Sequence, residues 1–235
     1  MLLQAAQLTK RYGHFTALSD VSFTIRPGEV LGLIGPNGSG KTTLFEILGG
    51  VLPADSGRVL ANGRAITAVE RAAAIFYLPD GVAPWPAQTL RWALEFAGGF
   101  FGDPSLIDQL VDELDLGPLL DSRIGTLSKG QRKRALLAIG LLTPQPVLLA
   151  DEPFDGLDLR QSRDVARTIR SHAAASRTML LSIHQINDAA RVCDRFVLLS
   201  GGRVRGEGTL EKLGEVAAAH GAATSDLEEV FLALT

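Results

Sequence analysis

Residues 30–48 read VLGLIGPNGSGKTTLFEIL. The opening VLGLI is an apolar strand pattern, LFEIL is an apolar helical one, and GPNGSGKTT (35–43) between them fits G-x-x-x-x-G-K-[ST]. Strand, glycine-rich loop and helix together form the setting in which this pattern binds phosphate. Gly35, Gly38 and Gly40, with Asn37 and Ser39 among them, let backbone N–H groups curl around phosphate oxygens. Lys41 reaches β and γ phosphates, and Thr42, followed by Thr43, is placed to ligate Mg²⁺. A glycine-rich turn without a ligand is the alternative, and the strand and helix on either side weigh against it.

VLLADEP (147–153) supplies the second half of such a site. A buried strand delivers Asp151 and Glu152 at its carboxyl end, where open parallel sheets place their ligands. Asp151 is expected in the Mg²⁺ shell and Glu152 beside the attacking water, which it orients or deprotonates. Two acids also favour the N-terminus of a following helix, so the pair gains its functional reading from the phosphate loop. His184 closes the strand-like TMLLSIH (178–184). A lone histidine at a strand end is more often structural or exposed. Here the same sheet edge is expected to carry phosphates, which gives the His184 ring a γ-phosphate to contact.

Outward from these two strands the chain alternates. TALSDVSFTI, GEVLGLIG and GRVLANG are β-rich, and PVLLAD, TMLLSIH and RFVLLSGGRV recur as apolar runs bounded by turn signals. KTTLFEILGG, PSLIDQLVDELDL and LRQSRDVARTIRSHAAAS carry helical patterns between them. Wholly apolar strands separated by helices imply a parallel sheet covered on both faces. Residues 79 to about 126 differ: PDGVAPWPAQ is punctuated by Pro and Gly, and helix-like stretches with little strand signal follow. The expected organisation is one domain over 1–235. Its α/β core spans 1–78 and 144–206, an inserted helical subdomain 79–143, and a helical tail 207–235.

The 235 residues carry a net charge of −3 with both signs interspersed, and 46% of them are apolar. That suits one unit with a substantial core and gives no basic footprint for nucleic acid. Cys193 is the only cysteine, so neither an intrachain disulfide nor a multi-cysteine metal site is expected. The first residues, MLLQAAQLTKRYGHF, lack signal-peptide character, and no run approaches the ~18 apolar residues of a spanning helix. A cytoplasmic chain is expected, with any membrane role passing through a partner.

LSKGQ (127–131) opens the helix-like KGQRKRALLAIGLL. Ser128 and Gln131 have capping-box spacing, and a helix mouth is also a ready anion site. Taken together, the chain resembles the nucleotide-binding subunits of ATP-binding cassette (ABC) transporters over nearly its whole length. The resemblance rests on GPNGSGKT as Walker A, LSKGQ as the signature, VLLADE as Walker B, FDGLD as the D-loop and His184 as the switch histidine, in the family's order. It implies a P-loop NTPase cassette with an N-terminal antiparallel β portion, and ATP and Mg²⁺ as its ligands. Tyr12 matches the aromatic that stacks on adenine; from the residues alone it would be a half-buried strand tyrosine. Two cassettes would pair head to tail, so that Ser128, Gly130 and Gln131 of one chain read the γ-phosphate held by the other, with Asp158 crossing the same interface.

Two positions depart from the family. Lys129 stands where Gly is usual, free to touch phosphate, face solvent or contact the opposing cassette. Asp80 stands where Gln usually meets Mg²⁺ and links core to helical subdomain. The resemblance implies an ATPase that forms a dimer with a second copy and drives a separate integral membrane permease from the cytoplasmic face. The tail DLEEVFLALT resembles exporter-type subunits. Trp85 and Trp92 either pack within the subdomain or form part of the permease docking surface. The rival reading is a non-transport ABC protein acting as an ATP-gated clamp.

Overall fold

The computed structural model describes residues 1–183, 186–219 and 227–234. Strands β1 (Leu3–Tyr12), β2 (Phe15–Ile25) and β3 (Val30–Ile34) lead into helix α1 (Lys41–Leu48); β4 (Ser56–Ala61), β5 (Arg64–Ala65), α2 (Ala68–Ala74) and β6 (Ile75–Leu78) follow. Three helices come next: α3 (Leu90–Phe101), α4 (Ile107–Glu113) and α5 (Lys129–Leu142). Then β7 (Val147–Asp151), α6 (Leu159–Ala174), β8 (Thr178–Ile183), α7 (Ile186–Val192), β9 (Arg195–Ser200), β10 (Arg203–Gly208), α8 (Leu210–Ala219) and α9 (Leu227–Leu234) complete the chain.

Two sheets result. An antiparallel one has the order β2-β1-β4-β5, and a larger one the order β10-β9-β3-β8-β7-β6. In the larger sheet β9, β3, β8, β7 and β6 run parallel, and β10 pairs antiparallel with β9. This is the α/β cassette architecture expected of the sequence.

Side chains alternate across a strand, and here each strand feeds two cores. Val30 and Ile34 of β3, Leu148 and Ala150 of β7, and Met179 and Leu181 of β8 join the cluster that includes α3, α5 and α6. Leu31, Leu33, Val147, Leu149 and Leu180 join the opposite cluster, with α1 and the antiparallel sheet. Both faces being covered explains why these strands read as unbroken apolar runs.

Three local expectations change. RFVLLSGGRV is a hairpin rather than one strand, because Gly201 (φ 55) and Gly202 (φ 71) turn the chain between β9 and β10. In PSLIDQLVDELDL the first three residues form a 3₁₀ turn and α4 covers only Ile107–Glu113. The tail begins after Gly208 rather than at Glu207, since β10 continues through both.

Candidate active site

The loop after β3 turns into α1 at the carboxyl edge of the parallel sheet. Gly40 makes the turn possible: its φ is 105°, and a Cβ there would stand 2.6 Å from the Ala17 carbonyl oxygen. Gly40 is also the N-cap of α1 and offers no side-chain cap, whereas Thr67, Thr89, Ser128 and Asp158 cap α2, α3, α5 and α6. First-turn N–H groups have no intrahelical acceptor, so α1 presents its positive end to the cleft beside it. That cleft, about 240 Å³, is lined by Asn37, Gly38, Gly40, Lys41, Thr42 and Thr43, with Tyr12, Phe15, Ala17 and Glu152. Gly35 and the buried Ser39 of the same loop are not among its lining residues. Lys41 Nζ donates to the Gly35 and Pro36 carbonyls at 2.7 and 3.2 Å, and the buried Ser39 hydroxyl has no hydrogen-bond partner among the described residues.

Burial pulls the Lys41 ammonium below the ordinary lysine range, against the opposing pull of Glu152 and Asp151. Both acids stand at the end of β7, separated from β3 by β8. Thr42 Oγ1 donates to Asp151 Oδ2 at 3.2 Å, and the other Asp151 oxygen accepts from Ser182 of β8. The same Ser182 oxygen accepts the Glu152 N–H at 2.9 Å. Glu152 has left-handed backbone, φ 51°, which costs a non-glycine residue about 1–3 kcal/mol. Two hard oxygen donors, Thr42 Oγ1 and Asp151 Oδ2, thus meet beside the loop, a donor set that fits Mg²⁺.

Asp80 reaches this edge by way of Lys133. Its Oδ1 lies 2.7 Å from the Lys133 ammonium, which also donates to the Asp151 carbonyl oxygen at 2.8 Å. Burial pushes the Asp80 carboxyl up, and the bond and charge of Lys133 overcome it, leaving it below the ordinary range. Carboxylate oxygens of Asp80, Glu152 and Asp155 lie within 4.8 Å of one another. Of the three roles open to Lys129, its exposed side chain takes the one that faces solvent, and from there it pairs with Asp155 in the D-loop of its own chain. That bond raises its pKa.

At the mouth of α5 the capping box is complete: Ser128 Oγ accepts from Gln131 N at 3.3 Å, and Gln131 Oε1 from Ser128 N at 2.9 Å. Gly130 packs on the D-loop, where a Cβ would come within 2.4 Å of the Gly156 carbonyl oxygen. Asp158 caps α6 with Gln161 in the same reciprocal way. Ser128, Gly130, Gln131 and Asp158 are not among the described residues lining the cleft. His184 lies outside the described residues.

Sequence reasoning missed Phe15, Ser182, Lys133 and Asp155. Ser182 carried a signal, a polar residue inside the apolar TMLLSI, and Lys133 lies one helical turn after Lys129.

A glycine-rich loop over an uncapped helix, facing an acid pair two strands away, defines a P-loop nucleoside triphosphatase. The family model described as ABC transporter matches residues 18–155. The chain is similar to Nod factor export ATP-binding protein I of Paraburkholderia xenovorans (strain LB400), with 34% identity over 86% of this chain and 69% of that protein. It is also similar to hemin import ATP-binding protein HmuV of Pseudomonas fluorescens (strain Pf0-1), with 35% identity over 86% of this chain and 84% of that one. A solved ATP-binding subunit of an ABC transporter superposes with a TM-score of 0.87 at 28% identity, covering 100% of this chain and 99% of its own. The chain belongs to the ABC transporter family, as an ATP-binding subunit and an ATPase. No helix among the described residues is long and apolar enough to cross a membrane.

Proposed function

We propose that the chain powers export through a separate membrane permease, held at the cytoplasmic face by that permease, and works as a head-to-tail pair of identical chains. In this reading adenine stacks on Tyr12, the phosphates lie against residues 38–43, and Lys41 turns from the loop carbonyls to the β and γ phosphates. Thr42 and Asp151 would hold Mg²⁺, which supplies positive charge against the phosphates. Asp80, whose carboxylate stands near that of Glu152, would add a further oxygen to the Mg²⁺ shell while pairing with Lys133. Glu152 accepts the proton of the attacking water as its oxygen bonds to the γ-phosphorus. The bond to the β–γ bridging oxygen then breaks, giving ADP and phosphate. His184, next after β8, is assigned to the γ-phosphate.

What supports pairing is that Ser128, at the mouth of α5, does not line the cleft of its own chain. Its hydroxyl oxygen serves as the cap, and the hydroxyl proton is available to a phosphate from outside. The test is the solution mass of Glu152→Gln by light scattering, with and without MgATP, and again with Ser128→Arg. A mass that doubles with ATP and fails to double in the Ser128 variant supports the pair. A chain that binds ATP and stays monomeric defeats the identical-chain pair.

Export draws on the tail and on the Nod factor export relatives. The hemin import relative, at 35% identity, favours the opposite direction as a second reading. Inverted vesicles carrying the chain with its permease separate the two: ATP-driven uptake means export, and ATP-driven loss of preloaded substrate means import.

A further inference from the structure

Glu152 sits on a backbone that its side chain does not favour, with φ 51°. The peptide group joining Asp151 to Glu152 is gripped at both ends. Its N–H donates to Ser182 Oγ at 2.9 Å, and its carbonyl oxygen accepts from Lys133 Nζ at 2.8 Å. Ser182 belongs to the neighbouring strand and Lys133 to the helix that opens with the signature, so the plane of one peptide is fixed from two separate elements.

The Lys133 side chain is 7% exposed and its ammonium is balanced by Asp80 at 2.7 Å. A lysine buried to this degree needs its charge paired and its protons bonded. Both partners lie at the catalytic edge. Arg134, its neighbour, instead reaches the carbonyls of Leu114 and Asp115, so the helix distinguishes these two cations by what they hold.

We propose that Lys133 is a positioning residue for hydrolysis: by holding the Asp151 carbonyl it keeps the following peptide in the orientation that aims the Glu152 carboxylate at the attacking water. The lysine acts through Glu152, by way of the Asp151 carbonyl that it holds. The inference rests on Glu152 being the general base.

The experiment measures ATP turnover and ATP affinity of the full chain for Lys133→Met, Lys133→Arg, Glu152→Gln and the Lys133→Met/Glu152→Gln pair, with thermal melting for each. Lys133→Met is expected to lower kcat by about 100-fold, the scale of a misplaced catalytic group, with KM for ATP little changed. Arginine, which still donates, recovers most of the rate. In the Glu152→Gln background the methionine substitution adds no further loss, since the group being positioned is already gone. A methionine variant that melts like wild type and keeps its kcat overturns the proposal while leaving Glu152 in place. An additive loss in the double variant also overturns it, because a general packing defect would do that. A Glu152→Gln chain with undiminished turnover overturns instead the reading on which it rests. Should Lys133→Met fail to fold, Lys133→Gln is read by the same criteria.

Discussion

The Lys133 ammonium lies 2.7 Å from Asp80 Oδ1, across the boundary between α5 and the segment that follows β6. The carboxylate is 41% exposed and the lysine 7%, so removing the acid strands a buried charge that keeps only its carbonyl partner. Asp80→Asn should therefore destabilise the chain by about 1–2 kcal/mol, less than for a fully enclosed pair because water screens the acid. Urea unfolding measures this. The pH dependence follows from a carboxyl held below its ordinary value of 3.8. Such a group stabilises fully above its unfolded pKa and loses that contribution as pH falls through the folded one. The stability gap between wild type and Asp80→Asn should stay level from about pH 8 to 5 and close below about pH 4.

Glu152→Gln keeps the size of the side chain and removes the base. Turnover is expected to fall about 10²- to 10⁴-fold, the usual contribution of general base catalysis, with ATP binding largely intact. Single-turnover hydrolysis alongside equilibrium binding separates the two quantities. Loss of both together would place the residue in binding rather than in proton transfer.

Lys41→Ala should do the reverse. A charge-assisted contact to phosphate is worth about 1.5–3 kcal/mol, so ATP affinity should weaken by about 10- to 150-fold, measured by calorimetry. Because Lys41 also bonds the Gly35 and Pro36 carbonyls, a small drop in melting temperature should accompany it.

Gly130→Ala tests whether the signature and D-loop move as one piece. The added Cβ would meet the Gly156 carbonyl oxygen at 2.4 Å, a contact with backbone that no rotamer relieves. Overpacking of this kind costs about 1–3 kcal/mol. The expected outcome is lower stability by urea unfolding and weakened ATP-driven pairing, with monomer nucleotide affinity close to wild type. Unchanged stability would mean that the two loops part easily.

The sequence was most legible where one motif imposes one geometry. GPNGSGKTT placed the loop and α1, and Ser128 with Gln131 placed the start of α5, because capping chemistry is local and needs no knowledge of the rest of the fold. Apolar runs announced β3, β7 and β8 for the same reason. What was hidden depended on distant partners. Lys129 faces solvent, one of the three roles open to it, but its partner was hidden, since Asp155 lies 26 residues away and only the packing of α5 on the D-loop brings it near. Asp80 likewise met a lysine from α5, and Ser182 met Asp151 only through strand pairing. The hairpin of β9 and β10 was missed because the glycine pair sits inside an otherwise strand-like run.

Helix α3 carries an aromatic ladder. Trp92, Phe96 and Phe100 recur every four residues and stack in sequence, with ring centroids 5.1 and 5.6 Å apart. Trp85 packs edge-on against Trp92 and Phe96 and partly against the core, so packing and surface readings each hold for part of this cluster. Phe100 is 71% exposed, Trp92 38% and Phe96 37%. Contiguous exposed aromatics mark a surface with a partner, and this ladder follows directly on the segment containing Asp80. If it receives the permease, Phe100→Ser should change stability by no more than about 0.5 kcal/mol and leave the ATPase rate of the isolated chain unaltered. Removing one aromatic anchor from an interface costs about 1 kcal/mol or more, so permease affinity should fall about tenfold, read by co-purification and by transport in vesicles. Transport at the wild-type rate, with full recovery of the permease, would remove the ladder from the docking surface.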